Sequence, residues 1–212
     1  MIRIVIADDH AIVREGLKRI VSAAGDMELV AEAADGTEVM QRVRELSFDV
    51  LMLDLSMPGR SGMELIKLVH AEKPKLRILV LSMHQELQYA VRAIKSGASG
   101  YLTKESAPAL LEQAIRKLAG GGAFISAEVA EQLALGAMPG SKTLPHEHLS
   151  NREFEVFRLL VAGVSVTDIA ARLKLSVKTV SSHKANLTQK MGLHNQSELI
   201  RYALKHGLTD AL

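Results

Sequence analysis

The chain has 212 residues, enough for one large domain or two small ones, and 48% of them are hydrophobic, which suffices for a sizeable core. It contains no Cys and no Trp, which excludes a disulfide framework and a thiolate metal site and leaves aliphatic side chains to build the interior. The net charge of +2 masks an asymmetry: residues 1–125 carry 16 Lys/Arg against 16 Asp/Glu, whereas residues 149–212 carry nine against five, so the surplus collects in the C-terminal part and points there to a polyanionic partner.

The chain enters a strand pattern at once, without a basic and then apolar leader, and no apolar run approaches the length of a bilayer span. A soluble, cytoplasmic protein with no membrane partner is expected. Over the first 120 residues a strand-then-helix rhythm repeats five times, with strands near 2–7, 28–33, 49–54, 77–82 and 99–102 and helical periodicity between them, as in AIVREGLKRIVSAA and SGMELIKLVHAE. APALLEQAIRKLA closes the series. Runs such as IRIVIA and DVLML are apolar without alternation, the pattern of parallel strands covered by helices on both faces.

Four of these strands end in polar residues of the kind phosphoryl chemistry uses: Asp8-Asp9 after IRIVIA, Asp54 after VLML, Ser82 after ILVL and Lys104 after GYLT. In an open α/β sheet, ligands bind beyond the carboxyl ends of the strands, where the winding reverses. Three carboxylates meeting there require a hard cation, and Mg²⁺, which takes oxygen ligands and is usually completed by phosphate oxygens, is the natural guest. Asp54 would then act as a nucleophile toward phosphorus, with Lys104 supplying positive charge and Ser82 a hydroxyl to the transferring group.

After Gly120-Gly121-Gly122 the rhythm stops. The expected division is a domain at 1–122, a linker at 123–148 with a helix at 126–135 begun by Ser126, and a domain at 149–212. Within the linker, GAMPGSKTLPHEH collects Gly, Pro and polar residues, and His146 and His148 beside Glu147 read as an incidental cluster.

Four helices are expected in the last domain, near 151–162, 166–173, 177–191 and 196–206. Ser150 to Glu153, Ser165 to Asp168 and Asn195 to Glu198 have capping-box spacing, and Ser176 is a further N-cap. The short Lys174-Leu175 connection is what a helix-turn-helix needs. In VKTVSSHKANLTQKM, Val177, Val180, Leu187 and Met191 are expected to face the core, and Lys178, Ser181, Ser182, Lys184, Ala185 and Lys190 to lie opposite. No acid occurs between Ser176 and Met191. Small residues at 181, 182 and 185 permit close approach to base edges in a major groove, with lysines at the margins reaching phosphates.

Through Asp8-Asp9-His10, LDLSMPGRSGMEL around Asp54, LVLSMH around Ser82, GYLTK ending in Lys104, and LSNREFEVFRLLVAGVSVTDIAARLKLSVKTVSSHKANLTQKMGL, the whole chain resembles a two-component response regulator of the NarL/FixJ type. The resemblance implies a flavodoxin-like α/β receiver, a doubly wound five-stranded parallel sheet of order 2-1-3-4-5, followed by a smaller all-α LuxR-type helix-turn-helix domain of four helices. It implies Asp54 as phosphoacceptor from a sensor histidine kinase, contacted by Ser82 and Lys104. Mg²⁺ is implied on Asp9, on Asp8 through water, on Asp54 and on the backbone carbonyl of Ser56. Ser82 and Tyr101 match the switch pair, and Ser56 and His84 the positions that tune dephosphorylation. In the output domain it implies Ser181, Ser182 and Ala185 toward bases and Lys178, Thr179, His183 and Lys184 near phosphates. The partners implied are promoter double-stranded DNA, a second copy of the chain on that DNA, and RNA polymerase.

Two other classes share some of these features. A phosphohydrolase of the haloacid dehalogenase type has a second acid two residues after its nucleophile, but here Asp54-Leu55-Ser56 offers none, so stored phosphorylation is favoured over turnover. A protein- or RNA-binding output module fits the Lys-lined third helix less well, because side chains cannot read the deep, narrow major groove of A-form RNA.

Overall fold

Five strands, β1 (Ile2–Ala7), β2 (Met27–Ala33), β3 (Val50–Asp54), β4 (Arg77–Ser82) and β5 (Gly100–Thr103), pair in parallel in the order β2-β1-β3-β4-β5. Five helices wind around them: α1 (Ala11–Ala23), α2 (Gly36–Glu45), α3 (Gly62–Glu72), α4 (Leu87–Lys95) and α5 (Pro108–Ala119). This is a computed structural model describing residues 1–57, 62–83, 87–106, 108–137 and 144–208.

The unbroken apolar runs are explained by what covers the sheet. Along β3, Leu51 and Leu53 join an apolar cluster with Val39 and Val43 of α2 and Leu65, Ile66 and Val69 of α3. The alternate residues Val50 and Met52 join the opposite cluster, with Leu17 and Val21 of α1 and Leu111, Ala114 and Ile115 of α5. Every residue of β3 is buried, so both phases of its two-residue period must be apolar until the chain emerges at Asp54. The order places β1 between β2 and β3, so the winding reverses where β1 and β3 end. Asp8 and Asp54 lie at that point.

Phe124, expected in the linker, is tied instead to the edge strand: the Tyr101 N–H donates to Phe124 O at 3.0 Å, and the Phe124 N–H donates to Ser99 O at 3.1 Å. The approach is close enough that a Cβ on Gly100 would meet Phe124 O at 3.0 Å and Leu79 Cδ1 at 3.1 Å.

The chain divides into two compact units, Met1–Glu131 and Gln132–Leu212. Helix α6 (Ala127–Gly136) spans the division. The second unit contains a 3₁₀ turn (Pro145–His148) and helices α7 (Asn151–Val161), α8 (Val166–Leu173), α9 (Val177–Met191) and α10 (Gln196–Lys205). Phe154, Phe157 and Leu160 of α7, Ile169 of α8, Val180 and Leu187 of α9 and Leu199 and Ala203 of α10 form its interior.

The expected caps differ in how they close. Ser150 and Glu153 make the reciprocal capping box, Ser150 Oγ accepting from the Glu153 N–H and Glu153 accepting from the Ser150 N–H. Ser165 caps the Asp168 N–H, but Asp168 returns to the Ser165 hydroxyl at 2.6 Å. Asn195 caps the Glu198 N–H, while Glu198 accepts from the His194 N–H one residue further out. Between α8 and α9, Lys174 takes φ 52°, the only non-glycine residue with positive φ among the described residues, and its N–H serves carbonyls at the end of α8.

His146 corrects the reading of a loose histidine cluster. It is 1% exposed, its Nδ1 lies 2.9 Å from the Tyr202 hydroxyl, and its ring packs beside Phe154 and His206. A turn of Pro and His residues without periodicity is thus part of the second unit's core.

Candidate functional site

The acidic crevice is built from strand ends. Asp8 follows β1, Asp54 ends β3 and Ser82 ends β4, and each of the three is at most 1% exposed. Lys104 follows β5, is held in register by its N–H donating to Ser82 O at 2.9 Å, and reaches across β4 to both acids. Its Nζ lies 2.7 Å from Asp8 Oδ2 and 2.9 Å from Asp54 Oδ2. The Ser56 N–H donates to Asp54 Oδ1 at 3.1 Å, which fixes the other carboxylate oxygen. Asp9 is partly exposed at the rim.

Electrostatics follow from this packing. Burial pushes the Asp54 carboxyl above its ordinary value, and the neighbouring Asp8 adds to the effect against the opposing influence of Lys104 and the Ser56 N–H. Burial pulls the Lys104 ammonium down, but contact with Asp8 and Asp54 more than offsets it, so Lys104 is held above the ordinary lysine value. Two buried carboxylates therefore share one ammonium, each through its Oδ2 atom. Oxygen atoms of Asp8, Asp9 and Asp54 and a His10 ring nitrogen lie within 4.8 Å of one another. Such a set, rich in hard oxygen donors and short of positive charge, suits a divalent cation.

Sequence reasoning named the acids and passed over what positions them. Arg14, one turn into α1, donates to the Asp8 backbone carbonyl at 2.6 Å and to Glu32 Oε2 at 3.1 Å, and Lys18 pairs with the same Glu32 at 2.8 Å. This brace fixes the turn that carries both Asp8 and Asp9. Its signal is an arginine on the face of α1 nearest the strand end. Tyr101 of β5 is half-buried against the α2–α3 side of the sheet and lines a groove with Leu87, Ala90 and Val129. His84 lies outside the described residues.

In the second unit, α9 presents Lys178, Ser181, Ser182 and Ala185 to the exterior, with Thr179, His183 and Lys184 half-buried at the margins. Val180, Leu187 and Met191 are buried as expected, but Val177 is not: it is 47% exposed. It occupies the first turn of α9, and His183 and Lys184, between the buried Val180 and Leu187, are half-buried. Lys190 also departs from expectation, since its Nζ pairs with the buried Glu153 of α7 at 2.7 Å. Burial raises the Glu153 carboxyl, but Lys190 and the Ser150 groups more than offset this and hold it below the usual range. Lys190 therefore belongs to the joint between α7 and α9. Thr179 shares a 2.7 Å hydroxyl contact with the N-cap Ser176, and the Ser182 hydroxyl donates to Lys178 O at 3.0 Å.

An acidic crevice at the switch point of an order 2-1-3-4-5 sheet, followed by a capped helix-turn-helix, is the architecture of a response regulator with a DNA-binding output. The response regulator receiver domain family matches residues 4–116, and the luxR family of bacterial regulatory proteins matches residues 147–203. The chain belongs to the two-component response regulators that join a receiver to a LuxR-type DNA-binding domain. It is 34% identical over 212 residues to the response regulator UvrY of Escherichia coli K12, covering 100% of this chain and 97% of that protein. It is 39% identical to the oxygen regulatory protein NreC of Staphylococcus aureus strain JH9, covering 98% and 99%. Among solved structures, RcsB of Salmonella enterica serovar Typhimurium, bound to the promoter rprA with phosphomimetic BeF₃⁻, aligns at a TM-score of 0.66 and 32% identity over 95% of this chain and 98% of that one.

Proposed function

We propose that this chain stores a phosphoryl group from a sensor histidine kinase on Asp54 and thereby controls sequence-specific promoter binding by α9. The observation that carries the reading is the pairing of a buried Asp54 carboxylate at the end of the central strand with the Lys104 ammonium at 2.9 Å. An Asp54 oxygen attacks phosphorus as the bond to the kinase imidazole nitrogen breaks. The bonding pair leaves with that nitrogen, and an acyl phosphate forms. Lys104 supplies fixed positive charge to the transferring oxygens, and the Ser82 hydroxyl a donor. Mg²⁺ held by Asp9, by Asp8 through water, by Asp54 and by the Ser56 carbonyl would neutralise charge between carboxylates and phosphate.

With no second acid two residues after Asp54, the chain is a switch and not an enzyme of rapid turnover. Ser56 and His84 set how quickly water removes the phosphoryl group. Movement of Ser82 toward it, with Tyr101 turning inward, biases the receiver between two states. The receiver covers 1–122, extended by the Phe124 contact with β5, and the output domain 149–212, preceded by its 3₁₀ turn. On DNA, Ser181, Ser182 and Ala185 approach base edges, and Lys178, Thr179, His183 and Lys184 approach phosphates. Such small side chains discriminate modestly at each half-site, so a homodimer on paired half-sites is expected, acting with RNA polymerase in the cytoplasm.

The test is binding to randomised duplex DNA with and without acetyl phosphate and Mg²⁺, with Asp54 occupancy followed by mass. The expected result is one phosphoryl group on Asp54, absent in Asp54→Asn, with higher affinity and enrichment of a paired motif. Phosphorylation elsewhere in Asp54→Asn overturns the acceptor assignment. Phosphorylation without DNA binding overturns the output assignment.

A further inference from the structure

Val177 stays exposed in α9 while Val180, Leu187 and Met191 of the same helix are buried. Its phase on the helix lies between the buried Val180 and the exposed Ser181, so it also heads a row with Ser181 and Ala185, four and eight residues on. All three residues of that row are exposed, as are Lys178 and Ser182 in the row beside it. The valine thus continues the row expected to face bases by one turn toward the helix N-terminus. That is the end whose residues a helix-turn-helix brings to base edges.

Neither helix propensity nor packing accounts for a valine here. A β-branched side chain is a weaker helix former than alanine, and leaving it in water forgoes the gain from burial. The first turns of α7, α8 and α10 carry Glu153, Asp168 and Glu198, acids that complement the positive end of a helix, whereas the first turn of α9 has none. An acid there would repel phosphates. The polar side chains nearby are engaged locally: the Ser182 hydroxyl donates to Lys178 O at 3.0 Å, and the Thr179 hydroxyl shares a 2.7 Å contact with Ser176. This end of the row therefore offers methyl surface beside the positive charge of Lys178. Its complement in a major groove is the C5-methyl group of thymine.

We propose that Val177 is a specificity-determining residue that packs on the C5-methyl group of one thymine in each half-site. The proposal rests on the reading of α9 as the DNA-contacting helix, and adds to it an apolar contact worth about fourfold in affinity for each methyl group buried. The surrounding charge agrees with that occupant. Lys178 and Lys184 lie on the same helix and no acid occurs between Ser176 and Met191, so a duplex approaching Val177 meets no like charge.

The test uses the full chain with acetyl phosphate and Mg²⁺, and the duplex it selects from a randomised pool. Each thymine of that duplex is replaced in turn by uracil, which removes the methyl group and leaves the hydrogen-bonding edges, and affinities are measured for wild type and Val177→Ala. In wild type one thymine per half-site should respond, with affinity lower by about fourfold for each uracil. Val177→Ala should bind the thymine duplex as weakly as wild type binds the uracil one and be indifferent to uracil at that position. It should keep the wild-type salt slope and unfold at no lower temperature. A selected motif without thymine, a wild type indifferent to every uracil, or a sensitivity that persists undiminished in Val177→Ala would overturn the contact. Absence of any duplex binding would overturn the reading of α9 itself.

Discussion

Gly62, the first residue of α3, lies against the loop that follows Asp54. A Cβ at this position would lie 2.6 Å from both the Cα and the carbonyl oxygen of Leu55 and 2.9 Å from its Cδ2. Relief to ordinary contact requires a shift of ~0.8 Å between α3 and Leu55, and two of the three atoms are backbone, so no rotamer change supplies it. Leu55 stands between Asp54 and Ser56, whose N–H holds Asp54 Oδ1. Gly62→Ala should therefore destabilise the receiver by about 1–3 kcal/mol, the range for overpacking. It should also slow acetyl phosphate labelling of Asp54 by up to about a hundredfold, the scale of a 1 Å misplacement at a reacting group. Gly16→Ala is the control: nothing lies within 4 Å of its Cβ position in α1, and it should gain about 0.5–1 kcal/mol. Urea titrations of the two variants, with labelling followed by mass, decide the matter. A Gly62→Ala protein with the wild-type midpoint and labelling rate would refute the argument.

Lys184, in the middle of α9, and Lys190, in its last turn, should separate cleanly. Lys184→Ala is expected to weaken binding to all duplex sequences alike and reduce the slope of log affinity against log salt by about one. Lys190→Ala should leave that slope unchanged and lower the unfolding midpoint, because Lys190 is paired with Glu153; a slope change for Lys190 would return it to the DNA face. Glu153 also carries a pH signature. Its carboxyl is held below the usual range in the fold, so its contribution is present above the unfolded-state value and is lost as pH falls through the folded one. Glu153→Gln, which keeps the geometry of the cap, should show a smaller fall in thermal midpoint between neutral and acid pH than wild type; an identical fall would remove the pair from the acid response.

The sheet and the meeting of its polar strand ends were legible because each strand carries its own punctuation: an apolar run buried on both faces, then a polar residue where the chain escapes. The short helices of the second unit were legible through their N-caps, which act locally. What escaped depends on partners distant in sequence. Lys190 reads as a groove-facing cation until Glu153, 37 residues earlier, is brought beside it. His146 sits in a segment whose Pro and His content signals a loop, and Tyr202, 56 residues away, joins Phe154 and His206 in making it core. Val177 has the right helical phase for burial, but phase does not tell where the neighbouring helices stop. Arg14 and Glu32 brace the acidic turn through a strand-to-helix contact that neither periodicity nor motif encodes.

The main-chain tie between Phe124 and β5 bears on how copies of this chain can meet. An unpaired edge strand recruits strands from other molecules, a route to aggregation that folded proteins must block. Here one border of the sheet is engaged by a single bridging residue, and the other, β2, carries the charged Glu28 and Glu32. Growth of the sheet from molecule to molecule is discouraged on both sides. Self-association is thereby diverted to side-chain surfaces, where its strength can be retuned by substitution without disturbing the sheet that holds Asp54.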